Sequence, residues 1–139
     1  MKYHTRSKEW RASNVSFNAD TLKAYSYAWW RFVDVVNGKV VFNNYTYSMT
    51  TNRHQSKVRS LMRTLGIAID VTIECPAGLQ AHDWIESTVK HYQYKIDTLR
   101  QLIANPKSRK TTNDARRVAI ASYSECILTV KQLASKIAA

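Results

Sequence analysis

Apolar and polar residues follow two different periods along this chain. Residues 22–36 are rich in aromatic and β-branched side chains, which favour a strand. Asn37-Gly38 follows, and both residues readily take the positive φ angles of a type I′ hairpin turn. Residues 39–46 are therefore predicted to return as a second strand. A two-residue turn sets the facing pairs: Val35 with Val40, Val33 with Phe42, and Trp30 with Tyr45.

The period then changes from two to about three and a half. One apolar stripe at helical spacing predicts a first helix: Val58, Leu61, Met62 and Leu65. Asn52 and Gln55 have the spacing of a capping box, with Thr51 as the alternative cap, and Gly66 ends the helix. Residues 67–73 alternate again, which predicts a strand with one buried face.

The last third is predicted to be helical. Two apolar series recur at steps of three and four: Ile85, Val89, Tyr92, Ile96, Leu99, Ile103 and then Ile120, Tyr123, Ile127, Val130, Ala134, Ile137. Asn105–Lys110, which contains a proline, separates them. The fold class is therefore α+β: a ββαβ unit with a small antiparallel or mixed sheet, followed by an antiparallel helical hairpin. The same helices could instead form a homodimer seam with a second subunit.

Length and composition predict one domain over residues 1–139, made of a basic arm (1–20), the ββαβ unit (21–78) and the helices (79–139). No apolar run is long enough to span a bilayer, and the first residues lack the apolar stretch of a signal peptide. Cys75 and Cys126 belong to no paired motif, which favours free thiols and the cytoplasm over a disulfide between them.

Positive charge is the strongest compositional signal. The net charge is +11, and it is concentrated in three segments: residues 1–13 (net +3), 52–66 (net +4) and 105–117 (net +4). These three account for the whole excess, because the rest of the chain balances. Concentrated charge of one sign is what a polyanion-binding surface requires, and it predicts nucleic acid, DNA or RNA, as the partner.

The segment 47–63 combines several features of an anion site. Thr50 and Thr51 place hydroxyl groups at a helix N-terminus, whose free N–H groups and dipole favour anions. The basic side chains that follow, with a histidine among them, are Arg53, His54, Lys57, Arg59 and Arg63. The alternative interpretation is an ordinary solvated amphipathic helix. The absence of any acidic residue from 52–66 favours binding.

The same segment carries a resemblance. Residues 47–55, Tyr-Ser-Met-Thr-Thr-Asn-Arg-His-Gln, resemble the Tyr-Ser-x-Thr-Thr-x-x-His-Gln signature of small uncharacterised bacteriophage and mobile-element proteins. In that group an aromatic Tyr-Ser-Tyr strand commonly precedes the signature, as Tyr25-Ser26-Tyr27 does here. The resemblance covers about residues 24–65. It implies a viral or mobile-element origin and a shared functional surface at Ser48, Thr50, Thr51, His54 and Gln55, but no known activity.

A second basic cluster follows the break between the two long helices. Its predicted phosphate contacts are Arg109, Lys110, Arg116 and Arg117. Arg116 and Arg117 are expected in the first turn of the last helix, where positive charge opposes the helix dipole, and this indicates a function for them. The alternative is a solvated loop tip, which tolerates charge freely.

Aromatic residues of the predicted hairpin fall into two sets. Trp30, Phe32, Tyr45 and Tyr47 are expected on one face; Tyr25, Tyr27, Trp29 and Val33 are expected on the other. Covered faces, with helices on both sides, are favoured over an exposed platform for stacking bases. Arg31, which lies between these aromatics, keeps the stacking interpretation open.

The resulting hypothesis is a nucleic-acid-binding accessory protein of a phage or mobile element, acting in the host cytoplasm. The alternatives are an anti-defence protein that binds an acidic host protein surface, a binder of small nucleotides, and a metal-independent ribonuclease using His54. No metal-ligand spacing and no glycine-rich phosphate loop occur, so the sequence predicts no metal, no cofactor and no enzyme.

Overall fold

The computed structural model describes the backbone of residues 2–4 and 8–138 and the side chains of residues 8–133. The chain divides into two compact units, Met1–Trp84 and Ile85–Ala139. The interpretation of the chain as a single domain stays a prediction. The side chains of Lys2 and Arg6 in the predicted basic arm, and of Ala134 and Ile137 in the last apolar series, lie outside the described residues.

The first unit is built on a seven-stranded sheet in which the strands follow chain order. The strands are β1 (Lys2–His4), β2 (Glu9–Ala12), β3 (Val15–Asn18), β4 (Lys23–Ser26), β5 (Trp30–Val36), β6 (Lys39–Asn43) and β7 (Val71–Ile73). Neighbours from β1 to β6 are antiparallel, and β7 lies parallel to β6. Helix α1 (Met49–Thr64) supplies the crossover between these two parallel strands.

The β5–β6 hairpin has the predicted register. Val35 lies opposite Val40 and Val33 opposite Phe42, while Asn37 and Gly38 have φ angles of +53° and +75°. The predicted pairing of Trp30 with Tyr45 falls outside the ladder, because β6 ends at Asn43.

The first 36 residues differ from the prediction. Residues 22–36 are not one strand, because a turn at 27–29 separates β4 from β5. Tyr27 and Ala28 in this turn have φ angles of +56° and +66°. Positive φ angles are usually signalled by glycine or asparagine, and neither occurs in this turn. The predicted basic arm also contains strands, since β2 and β3 form a hairpin whose turn includes Asn14 at φ +59°.

Helix α1 begins and ends with capping contacts. The N-cap is Ser48, whose hydroxyl accepts a hydrogen bond from the Thr51 amide at 3.3 Å, so neither Asn52 nor Thr51 is the cap. At the other end Gly66 has φ +73°, and the Ile67 amide donates to the Met62 carbonyl at 2.9 Å. This is the glycine stop that the sequence predicts. The predicted strand 67–73 shortens to β7, while Ile67 and Ile69 pack on the core.

The core of the first unit lies between α1 and one face of the sheet. Phe17, Phe32, Phe42, Val58 and Met62 are at most 1% exposed there. The predicted aromatic set Trp30, Phe32, Tyr45 and Tyr47 is in contact, with ring centroids 5.2 to 6.2 Å apart. The second predicted set is wrong, because the turn at 27–29 exposes Tyr27 and Trp29 while Val33 packs in the core.

The second unit is the predicted helical hairpin. Helix α2 spans Trp84–Ala104 and helix α3 spans Lys110–Ala138. Tyr92, Ile96 and Ile127 are buried between them, with Val89, Ile120, Tyr123 and Cys126 packed around. The α+β class, with a C-terminal helical hairpin, is therefore confirmed. Among the described residues, no helix is long and apolar enough to cross a bilayer.

Candidate functional site

The inward face of α1 is held to the sheet by polar side chains. Gln55 is 1% exposed, and its amide nitrogen donates to the carbonyls of Asn43 at 2.9 Å and Tyr45 at 2.7 Å. Its amide oxygen accepts from the Thr46 hydroxyl at 3.0 Å. One buried side chain therefore fixes α1 to the segment that leaves β6, which sets the orientation of the helix.

His54 makes a second contact between α1 and the sheet. It is 4% exposed, and its Nδ1 shares a hydrogen bond of 2.6 Å with the hydroxyl of the buried Ser26. The ring of Tyr27 packs edge-on against it, with centroids 5.4 Å apart. Burial, together with the positive charge of Lys57, lowers the pKa of His54 below its ordinary value of 6.5. Both effects favour the neutral form of the ring.

The predicted hydroxyl donors at the helix start are engaged within the fold. Thr51 is 2% exposed, and its hydroxyl lies 3.3 Å from the hydroxyl of the cap, Ser48. Thr50 is half-buried. The sequence predicts that Thr51 and His54 contact a polyanion, but in the fold both side chains are buried, because they share the inward face of α1 with Val58 and Met62.

The outward face of α1 carries cations that have no acidic partner. Arg53, Lys57 and Arg63 are exposed, and among the described residues none of them forms an ion pair or a side-chain hydrogen bond. We call these three residues the basic face. Arg59 is different, because its guanidinium donates to Asn44 at 2.8 Å and lies over the Phe42 ring, 4.5 Å from the centroid.

The second basic segment is arranged differently. Arg117 pairs with Asp114 at 3.0 Å, and Arg116 donates to the side chain of the buried Asn113 at 3.1 Å. Helix α3 begins at Lys110, so Arg116 and Arg117 lie in its second turn. The expectation that they oppose the dipole in the first turn is therefore wrong. Three exposed cations of this second segment have no partner among the described side chains: Lys107, Arg109 and Lys110.

Exposed aromatic side chains occur in the turn between β4 and β5 and just before α1, and the sequence did not predict their exposure. Tyr27, Trp29 and Tyr47 are 47%, 58% and 55% exposed, and we call them the aromatic patch. Tyr47 packs on the buried Trp30 with centroids 5.2 Å apart. The residue types were visible in the sequence, but Tyr27 and Trp29 lie in the turn at 27–29, for which the sequence gives no glycine signal.

A cavity of about 360 Å³ opens beside Tyr27. It is lined by strands β2 to β4, with Glu9, Arg11, Ser16 and Tyr25 among its walls. Arg11 donates to Glu9 at 3.1 Å. The paired charges cancel, so the described walls of this cavity do not attract an anion in the way that the basic face does.

The described residues include one serine–histidine pair joined by a hydrogen bond, Ser26 and His54. This pair has the separation of a nucleophile and its base, yet both side chains are buried, at 1% and 4% exposure. Within the described part of the chain, no group of His, Cys, Asp and Glu side chains could hold a metal ion. Cys75 and Cys126 are free thiols.

Comparison with known proteins gives no relative: no family model, no curated protein and no solved structure matches the chain.

Proposed function

We propose that the protein binds nucleic acid and that the basic face of α1 is its principal contact. Arg53, Lys57 and Arg63 would neutralise phosphates, releasing the counterions condensed on the polymer. Because residues 47–55 resemble a signature of phage and mobile-element proteins, the protein would be an accessory protein of such an element. Its free thiols fit the reducing cytoplasm of a host cell.

One observation supports this proposal above all: α1 contains four cations and no acidic residue, and three of the cations have no partner among the described side chains. Ordinary solvated helices mix both signs and pair them at spacings of three or four. Helix α2 of the same protein does so, with Glu86 to Lys90 at 2.8 Å and Asp97 to Arg100 at 4.0 Å. The basic face lacks this pairing, which leaves its charge for an external anion.

The attachment of α1 to the sheet also supports nucleic-acid binding by its outward face. Because Gln55 and His54 fix the inward face, the cations opposite project from a scaffold of set orientation. Contacts made from rigid elements lose less conformational freedom on binding than contacts made from loops. Lys107, Arg109 and Lys110 would form a second, weaker phosphate contact from the loop that precedes α3 and its first residue.

Fluorescence anisotropy with labelled DNA and RNA, across a salt series starting at about 50 mM, tests the proposal. Arg53→Ala, Lys57→Ala and Arg63→Ala should each weaken binding several-fold and lower the salt slope by about 1. Lys131→Ala is the matched control, because Lys131 is also exposed, lies on α3 and has no ion-pair or hydrogen-bond partner among the described side chains. Absence of binding to every polymer at about 50 mM salt would overturn the proposal and direct the search to an acidic protein surface.

A further inference from the structure

The aromatic patch exposes ring surface of a kind that folded proteins usually cover. Tyr27, Trp29 and Tyr47 are about half exposed, and the neighbouring Met49 is 75% exposed. Aromatic rings are among the side chains that gain most from burial, so several exposed rings in one region indicate a binding surface.

The inner sides of two of these rings are fixed by packing. Tyr27 rests against the buried His54, and Tyr47 rests against Trp30 and Tyr45 at centroid distances of 5.2 and 5.8 Å. Their outer sides remain open. Rings held in this way lose little side-chain freedom when a planar partner stacks on them.

The turn that presents Tyr27 and Trp29 is strained. Tyr27 and Ala28 have φ angles of +56° and +66°, a conformation that favours glycine or asparagine. The β5–β6 turn meets the same requirement with Asn37-Gly38. Non-glycine residues persist at positive φ where the surrounding structure holds them, and such positions cluster at binding sites.

The basic face begins one turn along α1 from Met49, the first residue of the helix. Arg53 and Lys57 follow Met49 at intervals of four residues, or about 6 Å along the axis. Tyr47 lies two residues before α1, and Tyr27 contacts His54, the chain neighbour of Arg53, so two open rings lie near the start of the helix that carries the cations. A ligand that matches both must combine exposed planar groups with repeated negative charge.

We propose that the aromatic patch stacks unpaired bases and that the nucleic acid bound by this protein is single-stranded. This inference rests on the proposed function, because the phosphates of the same strand would lie along the basic face. A duplex keeps its base faces inside the stack, so it could meet the cations but not the rings. Alternating stacking and phosphate contacts are the mode by which proteins hold single strands without reading sequence.

The experiment compares a labelled single strand of about 16 nucleotides with the matched duplex. Trp29→Ala is the first variant, because Trp29 is 58% exposed and lies in a turn. A double variant, Tyr27→Leu with Tyr47→Leu, keeps apolar cover over His54 and Trp30 while removing both rings. Tyr94→Ala on α2 is the control, since Tyr94 is 71% exposed and lies outside the patch.

The wild type should prefer the single strand, and Trp29→Ala should weaken single-strand binding about 5- to 100-fold while leaving duplex binding nearly unchanged. Part of the tryptophan emission should be quenched by the single strand in the wild type and not in Trp29→Ala. Equal affinity for both forms, or unchanged single-strand binding by both Trp29→Ala and the double variant, would overturn this inference alone. If no oligonucleotide binds at about 50 mM salt, both this inference and the proposed function fail.

Discussion

The two basic segments of this protein carry the same net charge and use it differently. Residues 52–66 and 105–117 each have a net charge of +4. In the first segment three of four cations have no partner, and the fourth, Arg59, lies over Phe42. In the second, Arg116 and Arg117 are engaged by their own helix. Net charge along a sequence therefore overstates what a segment can offer to a ligand.

The supports of the two segments differ as well. Helix α1 is attached to the sheet by the buried Gln55 and His54, so its outward cations have a fixed base. The loop before α3 is held mainly by its own residues, with Ser108 donating to the Asn105 carbonyl at 2.6 Å and accepting from Asn113 at 2.9 Å. From this contrast we infer that α1 binds more tightly per charge.

The largest effect should come from removing the support of α1. Gln55→Leu keeps the approximate volume but cannot donate to the Asn43 and Tyr45 carbonyls or accept from Thr46. Because a buried polar group that loses its hydrogen bond costs about 1–3 kcal/mol, the free energy of unfolding should fall by about 3 kcal/mol. Urea denaturation measures this.

Gln101→Leu is the matched control for that measurement, since Gln101 is exposed on α2 and should change stability by less than about 0.5 kcal/mol. A Gln55→Leu variant as stable as this control would show that the buried amide does not seat the helix. The contrast between the two segments would then lose its structural basis.

The second prediction compares the two segments directly. Arg53→Ala/Lys57→Ala/Arg63→Ala and Lys107→Ala/Arg109→Ala/Lys110→Ala each remove three unpaired positive charges, so each serves as the charge control for the other. The α1 variant should lose about 100-fold in nucleic-acid affinity, and the loop variant about 10-fold, because ordering a loop offsets part of each contact. Affinities at one fixed salt concentration decide this. Equal losses of affinity in the two variants would contradict the inference that α1 binds more tightly per charge. A larger loss of affinity in the loop variant would make the loop the stronger contact.

The sequence predicted the secondary structure best where local signals agreed with packing. Asn37-Gly38 determined both a turn and a register, and Gly66 ended α1 as expected. The turn at Tyr27-Ala28 was missed because neither residue type signals a positive φ angle. Its conformation depends on long-range contacts, including the hydrogen bond that the Tyr27 backbone amide donates to the Asn14 carbonyl at 2.7 Å.

The sequence predicted which charged residues form the candidate site, but not which side chains of α1 face outward and which face the core. The outward positions Arg53, Lys57 and Arg63 follow from helical spacing once Val58 and Met62 are taken as buried. The same spacing places Thr51 and His54 inside, yet their polar character suggested a ligand. Their partners, Ser48 and Ser26, become visible only when the sheet and the helix are brought together.

The last prediction, with the smallest expected effect, concerns how Lys57 on the outward face of α1 changes the pH dependence of stability through His54 on the inward face. Burial and Lys57 lower the pKa of His54 below 6.5, so the unfolded chain takes up its proton more readily than the folded one. The stability that neutral His54 contributes is therefore fully present above about pH 6.5 and is lost as the pH falls through the lower folded-state pKa. Lys57→Ala removes a charge that disfavours the protonated ring, so the fall in melting temperature between pH 7.5 and pH 5, which brackets the usual histidine range, should shrink. Lys110→Ala removes an equal charge from a segment that contains no histidine, and it should retain the wild-type pH profile. If the melting temperatures of both variants fall alike on acidification, Lys57 on the outward face does not act on the buried ring of His54.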